Sequence, residues 1–455
     1  MILLVIDWSS VAVKTGQFIL SFSILVVLHE LGHYLPAKWF KCRVEKFYLF
    51  FNPWFSLFKK KIGETEYGLG WVPFGGYVKI SGMIDESMDK EQLKLPAQPW
   101  EFRSKPAWQR LIIMLGGVTV NVLLAILIFI LLMWVWGEEF LPPQSLKYGI
   151  VADSLGKQAG LKDGDLIIKV DDKEVRNAIK VTGEVILGDA KTLTIERGGQ
   201  QMKMTLPENF TRSLNKSKGD KFIGIRIPFF AGEFAKGSGA EKAGVKVGDR
   251  IIAVDSVKTP FHNDFLALMK ERKEKNKSKD ILLTVVRNNR DTLNMQVQLD
   301  ADGKIGVYPE SALKKLGFTI ETRKYTFAQS VPAGFKKCWE TLGNYISGIK
   351  QLFNGKANPN DSLGSVISIG RIFPGEWDWQ SFWTLTAVFS IILAFMNILP
   401  IPALDGGHAL FTLVEMITGR KPSDKFIEYA QMVGMVLLLG LMAYALGLDI
   451  WRLFK

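Results

Sequence analysis

The stretch LVVLHELGHYLPAKW, residues 25–39, places two histidines and a glutamate at the end of an apolar run. Ionisable side chains are costly inside a bilayer, so a membrane-spanning run retains them chiefly where they serve a function. The chain has only four histidines in 455 residues, and two of them, His29 and His33, stand four positions apart here. On a helix such residues share one face, so both imidazoles can reach one metal ion.

Glu30, between the two histidines, completes the pattern H-E-x-x-H. In this pattern the histidines bind zinc, and the glutamate beside the ion acts as a general base. Catalytic zinc needs a third protein ligand and one open coordination position. The residues themselves leave two candidates for that ligand, Asp405 and His408, both in the segment NILPIPALDGGH, residues 397–408.

Composition and charge narrow the class of protein. Hydrophobic residues make up 48% of the chain, with 30 phenylalanines and 13 tryptophans. The net charge is +12, but the basic residues are scattered through the loops and form no stripe interleaved with aromatic residues. A nucleic-acid partner is therefore not indicated. Basic loops beside apolar spans are the commoner source of such a charge balance.

Four stretches are apolar and long enough to cross a bilayer, which takes roughly 20 residues. The predicted transmembrane helices are residues 1–36, 111–136, 381–414 and 429–448. The third is too long for one straight helix, and Pro400 and Pro402 remove backbone donors from it. We expect it to break at LDGG, where Gly406–Gly407 would permit a sharp turn.

Lysine and arginine near the ends of the spans predict the orientation, because these residues favour the cytoplasmic side. They cluster between the first two spans, in residues 37–110, and again between the last two spans. Loops 1–2 and 3–4 are therefore expected in the cytoplasm. Both termini and the large segment 137–380 are expected outside.

The outer segment contains an internal repeat. AGLKDGDLIIKVDD (159–172) and AGVKVGDRIIAVDS (243–256) match at nine of fourteen positions, with an offset of 84 residues. Two copies at so long a period indicate a duplicated domain. Both copies resemble bacterial PDZ domains, which we expect at residues 142–220 and 221–305. Each could bind a peptide C-terminus by strand addition, and a folded spacer or size filter is equally compatible.

Two further segments have membrane-related patterns. Residues 64–82, ETEYGLGWVPFGGYVKISG, predict two strands joined near residues 73–76, as a re-entrant β-hairpin with an open edge. An ordinary cytoplasmic hairpin is the alternative. Residues 325–355 have apolar residues at helical spacing, which indicates an interfacial amphipathic helix. Packing of this helix against the repeats is the alternative there.

In their order along the chain, these motifs resemble the site-2 protease family of intramembrane zinc metalloproteases, and most closely its bacterial RseP (regulator of sigma-E protease) branch. The first span carries H-E-x-x-H, and the second carries G-x-x-x-N-x-x-x-A at Gly117, Asn121 and Ala125. The two PDZ-like copies and N-x-x-P-x-P-x-L-D-G-G follow. The resemblance covers the whole chain.

The resemblance implies roles for single residues. It implies His29, His33 and Asp405 as the ligands of Zn²⁺ and Glu30 as the catalytic base. It also implies contacts with the substrate, and the residues expected to make them are Asn397, Pro402 and Asn121. For the two asparagines, hydrogen bonding between helices is the alternative. His408 is then expected to be a neighbour of the site that could bond Asp405 or backbone.

The predicted fold is a polytopic α-helical membrane protein with four transmembrane helices, two small α/β PDZ domains outside and a membrane-associated β-hairpin. The resemblance implies an endopeptidase of the cell inner membrane that works within the lipid bilayer in regulated intramembrane proteolysis, a stress response. Its expected partners are single-span membrane proteins that have already been trimmed, such as anti-sigma factors, and remnant signal peptides.

The rival hypothesis is a membrane scaffold or receptor with PDZ domains and a structural metal site. Structural zinc sites are closed by four protein ligands and usually contain cysteine. The chain has two cysteines, Cys42 and Cys338, and only Cys42 lies within nine residues of a motif histidine. It follows Pro36, so it would reach the motif only if the chain folded back.

Overall fold

The computed structural model describes residues 7–83, 96–275, 278 and 280–454. Parts of three predicted segments lie outside the described residues: 1–6 of the first span, 84–95 of the cytoplasmic loop, and 276, 277 and 279 of the second repeat copy. The chain forms two compact units. Unit 1 comprises Met1–Gly137, Lys324–Lys350 and Pro359–Lys455, and unit 2 comprises Glu138–Arg323 and Gln351–Asn358.

Unit 1 contains four helices that are long and apolar enough to cross a membrane. They are span 1 (Trp8–Trp39), span 2 (Ala107–Val135), span 3 (Trp379–Ile398) and span 4 (Asp424–Leu453). Three of these helices begin after a capping residue. The side chains of Asp7, Asp378 and Ser423 accept hydrogen bonds from backbone amides of the first turn, which have no partner within the helix. The four apolar helices predicted from the sequence are thus confirmed.

The third predicted span is broken, but the glycines do not make the turn. Span 3 ends at Ile398, residues 399–404 are unwound, and a second helix, the LDGG helix, covers Asp405–Thr418. Within the unwound segment, Ala403 adopts a left-handed backbone conformation with a φ of 85°. The turn predicted at Gly406–Gly407 is therefore made upstream of that pair.

Gly406 and Gly407 serve close packing instead. Both lie inside the LDGG helix. A Cβ on Gly406 would overlap with the carbonyl oxygens of Ile398 and Leu399, and one on Gly407 would approach the carbonyl group of Ile401. The pair therefore lets the LDGG helix start directly against the end of span 3.

A four-stranded sheet replaces the hairpin predicted at residues 64–82. Its strands are β1 (Val44–Phe51), β2 (Phe58–Ile62), β3 (Thr65–Leu69) and β4 (Val72–Ile80). Their order is β2-β3-β1-β4. Strand β1 runs between the two strands that were expected to pair with each other, parallel to β3 and antiparallel to β4.

The hairpin prediction was wrong because it placed the proline and the glycines of this segment in a turn. Pro73 and Gly76, which were expected at the turn, lie inside β4. Proline is tolerated there because β4 is an edge strand. A Cβ on Gly76 would lie 2.7 Å from Cγ1 of Val26, so this glycine is required where the sheet packs against span 1.

Span 2 is the centre of unit 1, since it packs against span 1, span 3 and the LDGG helix. Its closest approach to span 1 is at Gly116 and Gly32. A Cβ on either glycine would overlap with the backbone carbonyl of the other. Small residues of this kind let helix backbones approach closely in membranes. Deeper in the bundle, Ala125 and Phe129 of span 2 belong to an apolar cluster that includes Ile391 of span 3.

The remaining helices of the membrane unit lie between the repeat and span 3. The helix Phe327–Phe353 occupies the segment predicted to be interfacial, and its placement on a membrane surface stays a prediction. The short helices Pro359–Ser362 and Val366–Ile372 follow. The second of these is capped by Asp449 of span 4, which accepts hydrogen bonds from the backbone and hydroxyl groups of Ser365 and Ser368.

Unit 2 contains the two repeat copies. The strands of the first region are Glu138–Phe140, Ile150–Ala152, Leu166–Val170, Lys173–Glu174, Thr192–Arg197, Gln200–Thr205 and Ile223–Ile225. Those of the second are Phe229–Phe234, Arg250–Val254, Val257–Lys258, Asp280–Arg287, Asp291–Gln298, Val307–Pro309 and Glu321–Arg323. The helices are Ser154–Gln158, Val181–Gly188, Phe210–Lys216, Gly239–Lys242 and His262–Glu274. Each copy has its own apolar core.

The repeated motif has the same local structure in both copies. Asp165 is buried and pairs with Arg197 at 2.7 Å, and Asp249 is buried and pairs with Arg287 at 2.6 Å. Each aspartate also accepts a hydrogen bond from the amide three residues before it. Burial would raise the pKa of Asp249, but the bonds from Arg287 hold that pKa below its ordinary value. The sequence repeat is therefore a structural repeat.

Candidate metal centre

Three predicted side chains meet between span 1 and the LDGG helix. The Oδ2 atom of Asp405 lies 3.3 Å from Nε2 of His29 and 3.3 Å from Nε2 of His33. The two Nε2 atoms are themselves 3.3 Å apart. The three atoms thus form a triangle with equal sides, which we call the ligand triangle. Both histidines are buried.

The ligand triangle has the dimensions that zinc requires. A tetrahedral zinc ion with bonds of about 2.0 Å separates its ligand atoms by about 3.3 Å. Within the described part of the chain, the buried Oδ2 atom of Asp405 also accepts no hydrogen bond. A buried carboxylate oxygen without a donor is unfavourable, and a cation in the triangle would satisfy it. Two imidazoles and one carboxylate therefore fit a catalytic zinc ion.

Local structure explains how span 1 presents the two imidazoles. The i, i+4 spacing stacks their rings edge to face, with centroids 4.9 Å apart. The far nitrogen of each ring is held by span 2: Nδ1 of His33 is 2.8 Å from the carbonyl oxygen of Ile113, and Nδ1 of His29 is 3.0 Å from the side-chain amide of Asn121. Such outer contacts orient the rings of metal-binding histidines.

A glycine in span 2 makes room for both rings. A Cβ on Gly117 would lie 2.6 Å from Cε1 of His29 and would overlap with Nε2 of His33. Any larger residue at this position would have to displace the imidazoles. The first glycine of the G-x-x-x-N element therefore forms one wall of the centre.

Glu30 lies beside the ligand triangle without belonging to it. Its carboxylate is adjacent to the backbone amide of Val78 in β4 and within electrostatic range of the three triangle residues. The side chain is partly exposed, whereas both histidines are buried. A carboxylate at this position can exchange a proton with a group held at the triangle.

The structure gives the two candidates for the third ligand different partners. Asp405 is the first residue of the LDGG helix and faces the histidines. His408 lies one turn further along, and its Nε2 atom is 2.6 Å from Nε2 of Gln431 in span 4. His408 is therefore directed towards Gln431 of span 4.

The residues expected to contact substrate lie at different places. The side-chain Nδ2 of Asn397 is 3.5 Å from Nε2 of His29, at the border of the ligand triangle. Pro402 lies in the unwound segment, where a Cβ on Gly434 of span 4 would overlap with its carbonyl oxygen. Asn121 is fully buried between the helices. Of the three, only Asn397 and Asn121 are within reach of His29.

Several groups at the centre and in the helices that support it were not anticipated. The backbone groups of Ile113 and Val78 leave no trace in a sequence pattern. Arg110 and Glu415 form a largely buried ion pair, with an Nη2–Oε1 distance of 2.5 Å and 9% and 19% of their side chains exposed. It joins the start of span 2 to the LDGG helix. Two opposite charges at the ends of apolar segments were the signal that could have revealed it.

Comparison with known proteins agrees with this geometry. Residues 17–441 match peptidase family M50, the site-2 protease family. The chain belongs to peptidase family M50. The predicted family is therefore confirmed, and the chain is an intramembrane metalloprotease with zinc as its cofactor. A scaffold with a structural metal site is not favoured.

Relatives of this M50 peptidase match it over nearly its whole length. A protein of Ralstonia nicotianae that is named as a zinc metalloprotease is 28% identical over 473 residues, covering 96% of this chain and 98% of the relative. The regulator of sigma E protease of Haemophilus influenzae is 27% identical over 470 residues, covering 96% and 98%. The regulator of sigma-E protease RseP of Salmonella typhimurium is 27% identical over 464 residues, covering 98% and 100%.

Proposed function

We propose that this peptidase hydrolyses peptide bonds within the transmembrane segments of single-span proteins, with zinc held by His29, His33 and Asp405 and with Glu30 as the catalytic base. The observation that carries the proposal is the ligand triangle, whose equal sides of 3.3 Å match tetrahedral zinc. The carboxylate of Glu30 lies next to the ligand triangle and does not supply one of its three ligand atoms.

The residues of the chain have separate tasks in this reaction. Zinc supplies Lewis acidity, which makes water a better nucleophile and polarises the substrate carbonyl. Glu30 accepts the proton of the attacking water as the new carbon–oxygen bond forms, and donates it to the leaving nitrogen as the carbon–nitrogen bond breaks. The outer contacts from span 2 keep both imidazoles oriented towards the centre.

Strand β4 is proposed to hold the substrate. A helical substrate hides its carbonyl groups in i→i−4 hydrogen bonds, so it must unwind before attack. An edge strand offers free backbone groups to an extended peptide, and β4 is an edge of the four-stranded sheet. Because Val78 of β4 lies beside Glu30, a peptide paired along this strand would pass the catalytic carboxylate.

Asn397 and Pro402 are proposed to help accommodate the substrate in different ways. The amide of Asn397 borders the ligand triangle, so it can donate a hydrogen bond to a peptide carbonyl attacked there. Pro402 belongs to the unwound segment, where broken backbone at membrane depth is tolerated only if it is buried or lines a wet cavity. We propose that it acts by shaping this segment.

The predicted domains complete the proposal. The structural repeat supports PDZ domains at residues 142–220 and 221–305, which would lie outside and exclude substrates with bulky outer domains or bind peptide C-termini. Residues 37–110 would be cytoplasmic and residues 325–355 interfacial. We propose an inner-membrane location and two substrate types: trimmed proteins of the anti-sigma factor type and remnant signal peptides.

The test compares purified full-length protein with its Glu30→Gln variant in detergent, using a single-span reporter with a short outer stub. Each protein is assayed for cleavage with and without a zinc chelator, and its zinc content is measured. Chelator-free wild type is expected to cleave the reporter, wild type with chelator and Glu30→Gln are not, and Glu30→Gln should bind zinc like the wild type. Glu340→Gln, on the helix Phe327–Phe353, is the control and should cleave normally. Undiminished cleavage by Glu30→Gln, or by the wild type with chelator, would refute the proposal.

A further inference from the structure

Asn121 makes an unusual contact with the metal centre. It lies in span 2, is fully buried, and has its side-chain Nδ2 atom 3.0 Å from Nδ1 of His29. Its backbone is anchored as well, because its carbonyl oxygen accepts a hydrogen bond of 2.7 Å from the hydroxyl of Ser390 in span 3. The other side-chain atom, Oδ1, is buried and has no hydrogen-bond partner among the groups described.

The chemistry of imidazole decides which atom of Asn121 must face His29. A neutral imidazole has one N–H group and one nitrogen lone pair. When the lone pair of Nε2 points into the ligand triangle, Nδ1 carries the hydrogen and needs an acceptor. The Nδ2 group of Asn121 is itself a donor, so the two would oppose each other. Rotating the amide by half a turn exchanges its nearly identical oxygen and nitrogen and gives the buried oxygen a donor.

His33 shows the same arrangement with a backbone acceptor. Its Nδ1 atom lies 2.8 Å from the carbonyl oxygen of Ile113, which can only accept a hydrogen bond. Nδ1 of His33 therefore carries the hydrogen, and its Nε2 lone pair is directed to the ligand triangle. Span 2 thus contacts the outer nitrogen of both imidazoles. One acceptor is backbone, which no substitution removes, and the other is a side chain.

We propose that Asn121 is a positioning residue that accepts a hydrogen bond from Nδ1 of His29 and so keeps the Nε2 lone pair of His29 directed to zinc. This inference rests on the proposed function of His29 as a ligand. It replaces the substrate contact expected for Asn121, because the side chain is sealed between helices and touches the outer nitrogen of the ring. Loss of such outer partners typically lowers metal affinity about 10–100-fold.

The test measures the zinc dissociation constant of full-length protein in detergent by competition with a chromogenic chelator. Asn121→Leu removes the acceptor at similar size, and Asn121→Asp restores an acceptor that cannot donate. Zinc affinity should fall about 10–100-fold in Asn121→Leu and should stay close to that of the wild type in Asn121→Asp. Ser390→Ala, which loses only the bond to the Asn121 backbone, is the control and should bind zinc normally.

Two further readouts separate positioning from substrate binding and from a purely structural role. At saturating zinc, the KM of the reporter should be unchanged in Asn121→Asp. The cobalt-substituted Asn121→Leu protein should show an altered visible spectrum. Wild-type zinc affinity in Asn121→Leu would overturn the inference. If Asn121→Leu fails to fold, Asn121→Asp decides, since weak zinc binding in that variant also overturns it.

The same experiment distinguishes failure of this inference from failure of the proposed function. If wild-type protein binds no zinc, or His29→Ala binds it as tightly as wild type does, the proposed metal site is wrong. If the wild type binds zinc through His29 but Asn121→Leu does so equally well, only the role of Asn121 is wrong.

Discussion

Gly117 and His33 face each other across the first two spans so closely that a methyl group on Gly117 would overlap with Nε2 of His33. The same methyl group would lie 2.6 Å from Cε1 of His29. The two imidazoles can therefore occupy their places in the metal centre only because residue 117 of span 2 has no side chain. It links the G-x-x-x-N element of span 2 to the HELGH motif of span 1.

Gly117→Ala is expected to displace the imidazoles and lower zinc affinity at least about tenfold, by analogy with the loss of other contacts around metal ligands. Cleavage of the reporter should fall with it. Gly16→Ala is the matched control, because Gly16 lies in span 1 with nothing within 4 Å of its added Cβ. Equal zinc affinity in the two variants would show that the rings can move aside freely.

Asp405→Ala is expected to release zinc, because only two imidazole ligands would remain where a catalytic ion needs three. Metal analysis after dialysis should find zinc in the wild type and almost none in the variant. His408→Ala should retain zinc, because His408 is directed to Gln431. Zinc loss in His408→Ala with retention in Asp405→Ala would reverse the assignment of the third ligand.

The Arg110–Glu415 pair is expected to stabilise the position of the LDGG helix. Removing one partner of a buried ion pair costs about 3–5 kcal/mol, because the other charge is left uncompensated. Arg110→Met should therefore lower the thermal midpoint of unfolding in detergent, and Arg110→Met combined with Glu415→Met should recover much of the loss. Additive losses in the double variant would mean that the two side chains do not stabilise each other.

Ala403→Gly is expected to raise stability, since a non-glycine residue at a φ of 85° is strained by about 1–3 kcal/mol. Ala387→Gly, inside span 3, should have the opposite effect, because glycine in a helix costs about 1 kcal/mol relative to alanine. Thermal unfolding of the two variants measures the contrast. A lower midpoint in both would argue against strain at Ala403.

Excision of the repeat is expected to change substrate selection without abolishing cleavage. Phe140 and Glu321 are direct partners on two antiparallel strands, so a short glycine–serine turn can join them after removal of the residues between. The excised protein should cleave a reporter that retains a folded outer domain, which the intact protein should refuse. Unchanged selectivity would show that the repeat is not a gate.

Local patterns in the sequence were sufficient for the elements whose cause is local. The four spans follow from the length of their apolar runs, and they appear as helices where they were expected. The i, i+4 spacing of His29 and His33 likewise follows from helix geometry. The repeat was readable because both copies need the same turn, closed by Asp165 in one and Asp249 in the other.

Contacts between distant residues were decided by the tertiary structure. The sequence left Asp405 and His408 open as ligands, and only the direction in which the LDGG helix starts brings Asp405 to the histidines. The pairing of β1 between β3 and β4 was missed because strand partners are chosen by packing across the sheet. Gly406 is a further example. The sequence suggested a turn there, whereas the structure needs a glycine because the start of the LDGG helix contacts the backbone of Ile398 and Leu399.

The amino-acid sequence by itself thus determined the membrane-spanning helices, the duplicated domain and the chemistry available to the chain, because these depend on residue type and spacing. The tertiary structure alone decided which third side chain completes the ligand triangle, which groups orient the imidazoles and which strand borders Glu30. Those choices depend on how closely separate segments approach, and that distance is set by small residues such as Gly32 and Gly116 acting together.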